Sequence, residues 1–154
     1  MAFRERTAWI AVVTTLVVWS VYFAWFWVDV AGQRLDGGAV LTRFLITMGI
    51  SLVVMIGLNV ATGVMTAKNI ETPPDELERL IEARADRICF KLLEVLVPIG
   101  LIGGLLATDT IRAAFPADPA GSVALIFANG VLMAFVLTEV VRESVHIASF
   151  RMTA

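Results

Sequence analysis

Residues 40–65 read VLTRFLITMGISLVVMIGLNVATGVM, and a single charge, Arg43, interrupts the run. A helix crossing the hydrocarbon of a bilayer needs about 20 mostly apolar residues, because each residue advances it only about 1.5 Å. This stretch exceeds that length and predicts a spanning helix. Working outward from it, three more runs qualify: Ala8 to Val28, Leu92 to Thr108 and Ser122 to Val141. The Leu92 run is at the short limit, and Ile88, Cys89 and Phe90 extend it while Lys91 snorkels toward water. The Ala8 run is longer than the apolar part of a secretory signal and has no Ala-x-Ala site behind it, so it is expected to stay as an anchor.

Composition agrees with four spans. Of 154 residues, 58% are hydrophobic and 17% charged, whereas a soluble domain carries roughly 25% charged residues. A soluble globular protein is therefore excluded. The net charge of −2 offers no broad basic surface, so nucleic acid is not an expected partner. The single cysteine, Cys89, rules out disulfide frameworks, CxxC redox pairs and cysteine-rich zinc sites. No glycine-rich phosphate loop follows a strand pattern and no serine or threonine has a base beside it, so an enzyme is not expected, nor a cofactor.

Orientation follows from the basic residues of the short loops. Arg4, Arg6, Lys68, Arg79, Arg84, Arg87, Lys91, Arg142 and Arg151 fall on one side, and Arg34, Arg43 and Arg112 on the other. Nine against three predicts both termini and the segment 66–91 in the cytoplasm. The expected architecture is all-α: one membrane domain over residues 1–154, four transmembrane helices, and an amphipathic cytoplasmic helix leading into the third. Trp19, Tyr22, Phe23, Trp25, Phe26 and Trp27 crowd the outer end of the first span and Trp9 its inner end, as an interfacial aromatic belt would. The outer connections, Asp29 to Ala39 and Asp109 to Gly121, are too short for an outer domain, and Gly37, Gly38, Pro116 and Pro119 read as turn-formers.

The segment between the second and third spans has the marks of a helix start. Thr72 can cap it, Pro73 or Pro74 suits its first turn, and Asp75, Glu76 and Glu78 complement its positive end. Leu77, Leu80, Ile81, Arg84 and Ile88 recur at intervals of three and four, an apolar stripe broken by one arginine. Asp75, Glu76, Glu78, Ile81, Arg84, Ala85 and Arg87 also match an Asp-Glu-Arg-(Asp/Glu)-x-x-Ile-x-x-(Lys/Arg)-(Ala/Ser)-x-(Arg/Lys) motif, with Leu77 in place of its arginine. In this loop the chain resembles a family of small prokaryotic four-span membrane proteins known as a domain of unknown function. The resemblance implies an integral protein of the prokaryotic cytoplasmic membrane and carries over no catalytic or ligand-binding residue.

Polar groups within spans are costly and therefore candidates for function. Glu94 and Glu139 fall roughly 3 Å inside the cytoplasmic ends of their spans and Asn59 roughly 9 Å inside its own. A cation or proton site at the inner mouth is one use of them; pairing of the glutamates with Arg87, Lys91 or Arg142, or contact with interfacial water, is the plainer one. Asn129 lies nearer the middle, where an amide ordinarily hydrogen-bonds between helices. Glu143 and His146 share a helix face, but a di-metal bundle needs two such pairs and the chain has one histidine, so no metal site is expected. Gly100-x-x-x-Gly104 lets helix backbones approach, with packing inside the chain as its expected use and a homo-oligomer contact as the alternative.

These observations lead to the expectation of a non-enzymatic membrane module that meets the lipid bilayer and a cytoplasmic protein partner. Its interaction residues would be Asp75, Glu76, Glu78, Ile81, Arg84 and Arg87 of the central helix. The alternative is a small oligomeric transporter or channel using Glu94 and Glu139.

Overall fold

The computed structural model describes residues 3–65 and 76–153. They form four helices: α1 (Phe3–Ala31), α2 (Gly37–Met65), α3 (Glu76–Ala114) and α4 (Pro119–Thr153). All four are long and apolar enough to cross a membrane, and no strand occurs among the described residues. With 39 and 35 residues, α3 and α4 are about 58 and 52 Å long, well beyond a hydrocarbon layer of about 30 Å.

The helix ends follow from a few residues. The N–H of Gln33 donates to the Val30 carbonyl and that of Arg34 to the Asp29 carbonyl, which together close the last turn of α1. Gln33 takes the left-handed conformation this closure requires, with φ 54°. Asp36 then caps α2, its Oδ1 accepting from the Gly38 N–H at 2.9 Å. Asp118 caps α4 in the same manner, accepting from Gly121 at 2.9 Å, with Pro119 in the first helical position. These caps make the connections shorter than hydropathy implied. Gly37 and Gly38 lie in the first turn of α2, and α3 continues to Ala114, so of the described residues only 32–36 and 115–118 lie outside helices. Such short links hold consecutive helices antiparallel.

Packing is uneven. α3 packs along α4, α4 along α1 and α1 along α2, whereas α2 barely meets α4; among the described residues the backbone of α3 does not come close to that of α1 or α2. The result is an antiparallel four-helix assembly with α4 and α1 in the middle, open between α2 and α3. Between α3 and α4, Ile81, Ala85 and Cys89 are buried at successive four-residue steps, and the Cys89 thiol donates to the Thr138 carbonyl at 3.4 Å. The stripe drawn from sequence was Leu77, Leu80, Ile81, Arg84 and Ile88. Only Ile81 of its described side chains is buried; it shares the face that meets α4 with the small Ala85, 0% exposed, and Cys89. Gly104 meets α4 further along, where a Cβ would lie 2.4 Å from the Phe127 ring. Gly100, by contrast, has open space around it.

The aromatic run divides between two environments. Trp25 and Trp27 are exposed, as a belt requires, but Tyr22 and Phe26 are buried and face the other helices. At this end Arg43 of α2 pairs with Asp29 of α1, and its guanidinium lies 6.0 Å from the Trp25 ring centre.

Candidate functional site

The antiparallel pairing of α3 and α4 gathers charge at the end that also holds the start of α1, where Ala8 and Val12 pack on Ile147. Arg142 of α4 reaches across to Asp86 of α3, its Nε donating at 2.8 Å. Its Nη1 lies 3.4 Å from Glu139 and 4.0 Å from Glu143, so one guanidinium serves three carboxylates. Glu143 in turn lies 3.3 Å from His146 Nδ1. The other ring nitrogen, Nε2, is buried and has no hydrogen-bond partner among the described residues. Among those residues no group of three or more His, Cys, Asp and Glu side chains is arranged to hold a metal ion.

This network organises the face that α3 turns away from α4. Asp86 is directed toward Arg142, and Ile81, Ala85 and Cys89 are occupied by packing. Leu80 is 68% exposed, and Arg84, Arg87 and Lys91 are exposed as well. At 3.6 residues per turn, Leu80, Arg84 and Arg87 fall within about 60° of one another around the helix. A patch of one large apolar side chain beside two arginines therefore stands clear of the neighbouring helix, with Glu76 also exposed one turn earlier.

No family model, curated protein or solved structure matches the chain. The site therefore rests on its own geometry.

Of the other residues singled out from sequence, Asp75 lies outside the described residues, as does the side chain of Glu78. Ile81 is buried against α4 and is unavailable to a partner. Asn59 is half-buried and engaged within the chain. Glu94 and Glu139 do not share a level. Contacts of Cys89 with Thr138 and of Asp86 with Arg142 set Glu139 beside Cys89, so Glu94 stands about 7 Å further along α3. Pro98, inside α3, lacks the N–H that would have bonded the Glu94 carbonyl.

Asn129 is 5% exposed and links two helices: its Oδ1 accepts from the Tyr22 hydroxyl at 2.6 Å, and its Nδ2 donates to the Leu125 carbonyl at 2.9 Å. A carbonyl can only accept, which fixes the amide orientation. Tyr22 was read from sequence as part of the belt. Its inward role had one signal, a hydroxyl in the only tyrosine of the chain, set among rings that lack one. Asp86 and Arg142 were likewise visible as charges, but their pairing depends on the register of α3 against α4.

Proposed function

We propose that the protein is a non-enzymatic module of the prokaryotic cytoplasmic membrane that docks a cytoplasmic protein on the outward face of α3. The observation that carries this reading is the exposed Leu80 flanked by Arg84 and Arg87 on a helix whose opposite side is already occupied by α4. An apolar side chain rimmed by arginines has the composition of a protein-binding surface. Nine of the twelve basic residues support a cytoplasmic position for this end, together with both termini. Transport through a path using Glu94 and Glu139 has less support, because the two carboxylates lie at different levels and the cavities along the helices are walled almost entirely by apolar side chains.

The test is photo-crosslinking in cells from position 80, with and without Arg84→Glu combined with Arg87→Glu. A discrete protein adduct that the double variant loses, with membrane insertion unchanged, is the expected result. Adducts to lipid alone, or a protein adduct indifferent to the charge reversal, would overturn the docking reading.

A further inference from the structure

A second site lies far from the charged end and does not depend on the docking reading. Near the start of α2, Gly37 lies against Leu125 of α4, and beyond that point the two helices part. The cleft they leave has a volume of about 400 Å³ and is floored by α1. Its walls are apolar apart from Tyr22 and Asn129, and Phe44 and Phe135 supply two further rings. That volume lies within the range of small-molecule sites, which combine apolar walls with a few fixed polar groups.

The hydrogen bonds of Asn129 decide what the cleft suits. The amide nitrogen carries two hydrogens. One is given to the Leu125 carbonyl, the Oδ1 is taken by Tyr22, and no acceptor for the second hydrogen occurs among the described residues. An amide N–H facing hydrocarbon without a partner costs free energy. An acyl chain filling the cleft would leave that cost in place, whereas a carbonyl oxygen would remove it. Phe44, packed edge to face on the buried Tyr22 with ring centres 6.3 Å apart and planes at 67°, and the exposed Phe135 line the cleft with rings that suit a flat occupant. We propose that the cleft between α1, α2 and α4 binds a bilayer-soluble quinone-like ring, its carbonyl accepting the second N–H of Asn129.

The probe is a decyl-substituted benzoquinone, titrated into the full chain in nanodiscs of zwitterionic lipid. Quinones quench tryptophan fluorescence at short range, and the Trp19 ring lies 5.7 Å from that of Tyr22. Quenching should saturate near one equivalent, and Trp19→Phe should remove most of the saturable part. Asn129→Leu should weaken binding about tenfold, the worth of one buried hydrogen bond. Ala128→Phe fills the cleft from an exposed wall position without touching the Tyr22–Asn129 bond, and should abolish binding with the melting temperature unchanged; it also decides the matter if Asn129→Leu does not fold. Decylbenzene, with the same tail and no carbonyl, should fail to compete. Quenching that rises linearly with quinone in the membrane, binding equal in both cleft variants, or competition by decylbenzene as effective as by the quinone would each overturn the site.

Discussion

Helices α2 and α3 both cross the membrane on apolar side chains, yet they are held in the molecule by different means. The most apolar stretch of α2 contains no buried residue. Three fixed points lie at its start, the closed turn at Gln33, the Asp36 cap and the Arg43–Asp29 pair, and Asn59 is engaged toward its other end. α3 is fastened along its length, through Asp86 to Arg142, Ala85 and Cys89 into α4, and Gly104 under Phe127. Apolar content decides that both helices enter the bilayer, but it does not decide what they touch there, because lipid tails satisfy a leucine as well as another helix does. Small residues and a few polar groups make that choice.

The comparison breaks most readily at the glycines. Gly104→Leu should cost about 1–3 kcal/mol, since its new side chain must displace Phe127. Gly57→Leu in α2, where nothing lies within 4 Å, should cost nothing or add up to about 1 kcal/mol through better helix formation. Thermal unfolding of both variants in one detergent measures the contrast. Equal losses would mean that α2 is as tightly packed as α3.

The turn before α2 gives a smaller effect of opposite sign. Gln33 adopts a positive φ that glycine reaches without strain, so Gln33→Gly should raise stability by about 0.5–1 kcal/mol. A drop in melting temperature would show that its side chain contributes more than its backbone conformation costs. The least change is expected at the partly exposed Arg142–Asp86 pair. Arg142→Gln should cost about 0.5 kcal/mol, and the difference from the parent should shrink in high salt. A salt-independent loss would mean that Arg142 acts by packing.

Sequence made the four helices legible because insertion depends on summed hydropathy, a property that survives ignorance of facing. The direction of each face was much less so. Leu80 and Ile81 are adjacent and equally apolar, yet one points outward and the other into α4; Ile81 shares its face with the small Ala85, whose signal is size, which an apolar pattern does not weigh. Gly100 and Gly104 formed one motif on paper, but only Gly104 lies under Phe127. Of the candidate site, Arg84 and Arg87 were visible as exposed charges on an amphipathic helix. The ion pair that diverts Asp86 from their side depends on register, and the Tyr22–Asn129 bond joins residues 107 positions apart, a separation no local pattern spans.

That separation has a temporal side. At a synthesis rate of about 5–20 residues per second, the 107 residues between Tyr22 and Asn129 keep Tyr22 waiting roughly 5–20 s for its partner. During that interval α1 has only α2 packed along it among the described residues, and α3 has no helix packed along it until α4 arrives. α4 is made after the other three helices and is the one that joins the α1–α2 pair to α3, so a chain stalled before it would present membrane chaperones and proteases with two unjoined pieces.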